Sequence, residues 1–129
     1  MTASGAVAAV VLGIAALAAM AATDWSKAET VTVVTTEYGF EPNRLTFRGG
    51  MPYRLHLENH GKETHEFTAP GFLQSAEIRN PAAVNTDRTE ILIQPGEQKD
   101  VFLVPRQGRY PLRCADHDWA GMTGEIVVE

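Results

Sequence analysis

The sequence predicts an all-β domain, a Greek-key β-sandwich of seven to eight short strands. Short segments rich in Val and Thr alternate apolar with polar residues, and Gly, Pro and Asn bound these segments at close spacing. No long segment after residue 23 has helical periodicity. The 129 residues, 44% of them hydrophobic, suit a single domain of this class.

Four strands are predicted in the first half of the domain. Residues 29–38 are rich in Val and Thr and form the opening strand, and residues 45–47 form a short second strand. Residues 53–59 alternate strictly, with an aromatic or aliphatic residue at every second position. Residues 65–68 form another extended segment, which ends at a Pro-Gly pair.

The second half is less regular. Residues 72–88 have no clear periodicity, so we expect a loop with one short helical turn at Pro81-Ala82-Ala83. Strand character returns after this loop, in antiparallel segments separated by Pro and Gly turns. These predicted strands are residues 89–93, 100–104, 109–114 and 124–128.

An apolar segment precedes the predicted domain. Residues 5–22 contain only Ala, Val, Leu, Ile, Gly and Met, as in the hydrophobic region of a secretory signal, although no Lys or Arg comes before them. About twenty such residues are also enough to span a bilayer, so an uncleaved anchor stays an alternative. We therefore predict a signal peptide or N-terminal anchor at residues 1–23 and an exported, periplasmic domain at residues 24–129.

Charge and cysteine content narrow the function further. The net charge is −5, and every charged residue follows Ala22, so the exported domain is acidic and lacks the basic cluster that nucleic-acid binding requires. A cationic or neutral protein partner suits this acidic domain better than a nucleic acid does.

Cys114 is the only cysteine and has no disulfide partner within the chain. An unpaired thiol is unusual in an oxidising compartment, and metal binding would explain why this one is present.

A cluster of potential metal ligands lies near the C-terminus, in the pattern Cys114-x2-His117-x4-Met122, and His65 lies upstream. Strand parity places Cys114 on the inward face of its strand, and it gives His65 the inward side of its own strand, with Glu66 on the opposite side. A thiolate, two imidazoles and a thioether are the ligand set of a blue-copper electron-transfer site.

The loop, the upstream His-x-Phe and the ending Gly121-Met122-x-Gly124 resemble the cupredoxins, the plastocyanin/azurin family of type 1 blue copper proteins that includes small bacterial copper-binding members. The resemblance implies one type 1 Cu(I)/Cu(II) ion, with His65, Cys114 and His117 as equatorial ligands and Met122 as the weak axial ligand. It also implies that the edge of His117 approaches the surface beneath an apolar patch. In the family an Asn commonly follows the upstream histidine, whereas this chain has Glu66.

Two functions are compatible with these ligands. The first is a one-electron carrier, likewise implied by the resemblance, that serves redox proteins such as a c-type cytochrome or a copper oxidoreductase. The alternative is a periplasmic copper-binding protein for copper tolerance or delivery. We expect a monomer. We also expect that the protein is not an enzyme, because the sequence offers no serine near a base and no phosphate-binding loop.

Ordinary structural roles compete with these interpretations. A lone Cys or Met is most often a core residue, and it is their combination with two histidines that favours copper. Zinc would fit such donors but carries no electron. Of the remaining histidines, His56 is expected to be solvated on the polar face of its strand, and His60 lies in a turn.

Overall fold

The computed structural model describes residues 1–11, 13 and 21–129. The predicted signal peptide or anchor contains residues 12 and 14–20, which lie outside the described residues. Among the helices of the described part, none has the length and apolar character needed to cross a membrane.

Ten strands occur within the described residues, and they form two five-stranded sheets. The predicted β-sandwich is confirmed, with two short strands more than the sequence indicated. The strands are β1 (Glu29–Thr36), β2 (Gly39–Glu41), β3 (Arg44–Phe47), β4 (Tyr53–Asn59), β5 (His65–Thr68), β6 (Glu77–Ile78), β7 (Glu90–Ile93), β8 (Gln98–Val104), β9 (Gly108–Arg113) and β10 (Thr123–Val128).

The first sheet has the order β2-β1-β4-β8-β6, and the second has the order β3-β10-β9-β5-β7. Most neighbouring strands are antiparallel, as predicted, but β1 pairs with β4 in parallel and β3 pairs with β10 in parallel. β1 and β4 are neighbours in the interior of the first sheet, whereas β3 is the edge strand of the second sheet that pairs with β10. Alternation along one strand carries no information on the direction of its neighbour.

The core lies between the two sheets. On β4 every second residue from Tyr53 is buried, which confirms the alternation in the sequence. Fully buried Phe, Leu and Ile side chains from both sheets fill the interior, and each contributes about 1.5–3 kcal/mol relative to exposure. Cys114 and Met122 belong to this core cluster.

The irregular segment contains more structure than the sequence indicated. The short 3-10 turn is present at Pro81–Ala83, as predicted. A six-residue helix, α1 (Pro70–Ser75), was not predicted, and it buries Phe72 and Leu73 completely. The Pro-Gly pair suggested the end of a strand, yet proline is also well tolerated in the first turn of a helix.

The fold brings two distant parts of the chain together at one end of the second sheet. β5 lies beside β9, with Thr68 opposite Arg113 in antiparallel register. The chain that continues past Arg113 therefore runs alongside β5 toward His65. A further 3-10 turn, Asp118–Ala120, lies between β9 and β10.

Candidate metal centre

Three potential ligands that the sequence indicated lie together in the structure. One donor atom from each of His65, Cys114 and His117 falls within 4.8 Å of the other two. His65 and Cys114 are fully buried, and 12% of the His117 side chain is exposed. A site of this kind excludes water from the sulfur and from one imidazole.

The loop between β9 and β10 is held by its own backbone. The amide of Cys114 donates to the carbonyl of Met122 at 3.0 Å, which closes the base of the loop. The amide of His117 donates to the carbonyl of Cys114 at 3.2 Å. Gly121 ends the 3-10 turn with a φ of 83°, in the left-handed region that favours glycine. The ligand spacing is therefore fixed by local hydrogen bonds.

Both histidines direct the same nitrogen toward the sulfur. The Cys114 Sγ atom is 4.0 Å from Nδ1 of His65 and 3.5 Å from Nδ1 of His117. Bonds of about 2.3 Å to sulfur and about 2.0 Å to nitrogen, at trigonal angles, separate sulfur from nitrogen by about 3.7 Å. The donors present therefore fit a single ion, and their softness suits copper.

Met122 is the fourth residue of the predicted set. Its side chain is fully buried and belongs to the same core cluster as Cys114. Its backbone carbonyl accepts the Cys114 amide, so the two residues are held next to each other where β9 ends and β10 begins.

Each histidine has a carboxylate near its other nitrogen. Glu37 Oε1 lies 3.5 Å from Nε2 of His65, and Glu63 Oε2 lies 3.7 Å from Nε2 of His117. Burial, followed by the nearby His117, lowers the pKa of His65. His65 is therefore neutral at pH 7, which is the form in which imidazole binds a metal.

Glu66 lies at the sulfur, contrary to the expectation that it points away from the site. It is only 5% exposed, and its Oε2 is 2.9 Å from Cys114 Sγ, which donates to it. The Glu66 amide also donates to Sγ at 3.4 Å. The parity argument was wrong here because it assigns a face to Glu66 but does not limit how far this long side chain reaches toward a sulfur that contacts the β5 backbone.

The sulfur carries a proton in the metal-free protein. Burial, together with the Glu66 hydrogen bond, raises the pKa of the Cys114 thiol to about 11. Burial also raises the pKa of Glu66. A metal ion that binds the thiolate near neutral pH must therefore displace the thiol proton.

An aromatic side chain that the sequence did not connect with the site covers His117. The ring centroid of Tyr38 is 4.9 Å from that of His117, and Trp119 lies 5.8 Å from Tyr38. Tyr38 is 40% exposed and Trp119 is 75% exposed. The surface patch implied by the resemblance is thus aromatic, and the turn between β1 and β2 contributes part of it.

Neither Tyr38 nor the two carboxylates behind the histidines were identified from the sequence. Tyr38 ends a Val- and Thr-rich segment and was interpreted as the last residue of a strand. Tyr38 and His117 are 79 residues apart in the sequence, so a local residue pattern cannot predict their contact.

The remaining two histidines lie outside this group. His56 was expected to be solvated, but its side chain is only 14% exposed and bonds Asp100 at 2.6 Å and Glu58 at 3.1 Å. His60, in the turn after β4, is 59% exposed and bonds the same Glu58 carboxylate. Both therefore belong to an ion-pair network on the outer face of the first sheet.

Comparison with known proteins gives a family match. A family model described as a cupredoxin-like domain matches residues 7–128. No curated protein sequence matches the chain significantly.

Solved structures that share the fold include three auracyanins. Auracyanin B has a TM-score of 0.58 and 21% identity, over 80% of this chain and 90% of that one. Sodium-dithionite-reduced auracyanin from the photosynthetic bacterium Roseiflexus castenholzii has a TM-score of 0.56 and 14% identity, over 84% and 99%. Auracyanin A, a "blue" copper protein from the green thermophilic photosynthetic bacterium Chloroflexus aurantiacus, has a TM-score of 0.52 and 17% identity, over 78% and 99%.

Proposed function

The chain belongs to the cupredoxin-like domain family, and on that basis we propose that it is an exported type 1 copper protein that carries one electron at a time between redox partners. The resemblance to cupredoxins and the predicted fold are confirmed by the family match and by the similarity to auracyanin B. The expected copper cofactor is confirmed by that match together with the grouping of the three donors.

We assign the ligands residue by residue. His65 and His117 would hold the copper ion through Nδ1, Cys114 through Sγ and Met122 through its thioether sulfur. The observation that carries this assignment is the buried arrangement of two Nδ1 atoms around one sulfur, at 4.0 and 3.5 Å. Copper in such a site supplies a one-electron Cu(I)/Cu(II) couple.

The protein supplies a site that changes little between the two oxidation states. β5 fixes His65, and the hydrogen bonds at the base of the β9–β10 loop fix Cys114 relative to Met122. The Glu66 amide donates to the sulfur and helps to orient it. Burial excludes water, so no solvent ligand has to be gained or lost when the charge changes.

Electron transfer also requires a route to the surface. Tyr38 and Trp119 form the exposed aromatic patch over His117, and a redox partner would dock there. Carboxylates near this patch and the net charge of −5 favour a basic partner, such as a c-type cytochrome or a copper oxidoreductase. We propose a monomer in the periplasm, with the apolar N-terminus either cleaved or retained as a membrane tether.

Copper tolerance or delivery is the second candidate, because the same donors also hold copper for transfer to an acceptor. The complete burial of His65 and Cys114 favours retention of the ion, and thus favours the carrier. Cupredoxin-like electron-transfer proteins are typically not enzymes, and we propose no catalytic activity for this chain.

The test is the visible and EPR spectrum of the full chain after addition of one equivalent of Cu(II), followed by reduction and reoxidation. An intense thiolate-to-copper band that bleaches reversibly supports the type 1 site, and Cys114→Ser should abolish it. An unchanged spectrum in Cys114→Ser would sink the thiolate assignment. Rapid loss of Cu(I) to a competing chelator, compared with the rate of redox cycling, would favour delivery over electron transfer.

A further inference from the structure

The two histidines of the metal centre differ in how their outer nitrogens are satisfied. His117 Nε2 lies near the half-exposed Glu63 carboxylate and close to solvent. His65 is fully buried, and its Nε2 is the one buried side-chain nitrogen or oxygen among the described residues that lacks a hydrogen-bond partner. If Nε2 of His65 carries a proton, it therefore requires a hydrogen-bond acceptor within the protein.

This need follows from the tautomer. A neutral imidazole that presents the Nδ1 lone pair to a metal must carry its proton on Nε2. Buried N–H groups are rarely left without an acceptor. At 3.5 Å, the Glu37 Oε1 atom is placed to accept this proton after a shift of a few tenths of an ångström.

The Glu37 carboxylate is held in position by the backbone of a different loop. The amides of Lys62 and Glu63 both donate to Oε1, the second at 2.8 Å. Gly61 makes this possible, because a Cβ atom at that position would collide with the carboxylate. The carboxylate is thus oriented before any metal binds.

We infer that Glu37 is a positioning residue for the copper centre. It accepts the Nε2–H of His65 and thereby holds this ligand in the tautomer whose Nδ1 is directed at Cys114. The inference rests on the proposed function. The turn between β1 and β2 would then support both histidines, because Glu37 lies behind His65 and the next residue, Tyr38, packs against His117.

The inference can be tested with two variants that disturb the contact differently. Glu37→Gln removes the charge with little change in size. Gly61→Ala keeps the charge but displaces the carboxylate, and it is compatible with the backbone because Gly61 is not among the positive-φ glycines. Glu41→Gln, at an exposed carboxylate on β2, is the control for loss of one negative charge.

The measurements use the full chain loaded with Cu(I). We expect about a 10- to 100-fold loss of Cu(I) affinity in Glu37→Gln and in Gly61→Ala, measured against a chelator. The His65 Nε2–H signal, observed by NMR as a slowly exchanging proton, should exchange faster in both variants. Glu41→Gln should match the wild type in both measurements.

The outcomes separate the two proposals. If the wild-type chain gives no type 1 spectrum, the proposed function fails and this inference fails with it. If the wild type gives that spectrum but both variants match Glu41→Gln in affinity and in Nε2–H exchange, the positioning role alone is overturned.

Discussion

The imidazole of His117 lies against the phenol ring of Tyr38, with ring centroids 4.9 Å apart and planes tilted by 32°. Because only 12% of the His117 side chain is exposed while Tyr38 is 40% exposed, a docking partner meets the tyrosine over much of this surface. The surface route to the proposed copper ion therefore includes Tyr38.

Replacement of Tyr38 should slow electron exchange without disturbing the metal centre. We expect Tyr38→Ala to reduce the rate of exchange with a protein partner severalfold, because the ring in contact with His117 is lost. Tyr38→Phe should keep most of the rate, since the ring remains. Stopped-flow kinetics gives the rate, and the visible spectrum checks the centre. Equal rates for Tyr38→Ala and the wild type would contradict this route.

Met122→Leu should retain copper and raise the reduction potential. In our assignment the thioether of Met122 would be a weak copper ligand, and its loss should remove more stabilisation from Cu(II) than from Cu(I). The Met122 side chain is fully buried, but replacing Met with Leu nearly conserves its volume. The substitution should therefore lower the free energy of unfolding by less than about 1.5 kcal/mol. Voltammetry measures the potential, and Met51→Leu at a 46% exposed position is the control. An unchanged potential would remove Met122 from the ligand set.

The candidate ligands Cys114, His117 and Met122 could be recognised in the sequence because their signal is local. The spacing of Cys114, His117 and Met122 lies within one loop, and strand parity predicts which side chains point inward. The same reasoning was wrong for Glu66, because parity assigns a face but does not tell how far a long side chain reaches.

The surroundings of the site could not be predicted, because they depend on how loops meet in three dimensions. Glu37 reaches the amides of Lys62 and Glu63 only after β1 pairs in parallel with β4 and brings the two turns together. Most individual strands were predictable from alternation. The parallel pairings and α1 were not, since they depend on long-range packing rather than on local pattern.

The ion-pair network of His56 should make stability depend on pH. The hydrogen bond that His56 donates to Asp100, followed by the one that it donates to Glu58, raises the pKa of His56 above its usual 6.5. A raised pKa in the folded state means that the protonated form is stabilised. This contribution is complete below about pH 6.5 and is lost as pH rises through the higher folded-state pKa.

Denaturant unfolding of the metal-free protein across a pH series measures this effect. The free energy of unfolding should fall by about 1 kcal/mol over that range, the upper end for such pairs. In His56→Gln this fall should be absent, whereas His60→Gln, at a 59% exposed position, should keep most of it. A wild-type pH profile in His56→Gln would exclude the network as the cause.

Charge near the aromatic patch should make the reaction with a basic partner sensitive to salt. Glu37, Glu63 and Asp116 lie in or beside the loops that hold the histidines, while Asp118 is already paired with Arg113 at 3.1 Å. Together with the net charge of −5, these carboxylates attract a cationic protein.

Because the screening length falls from about 10 Å at 0.1 M salt to about 3 Å at 1 M, the rate of reduction by a basic cytochrome should decrease steadily as salt is added. Stopped-flow measurements over this range test the expectation, with a neutral small-molecule reductant as the control that should show little change. A rate with the basic cytochrome that does not depend on salt would mean that docking relies on the apolar contact with Tyr38 and Trp119 rather than on charge.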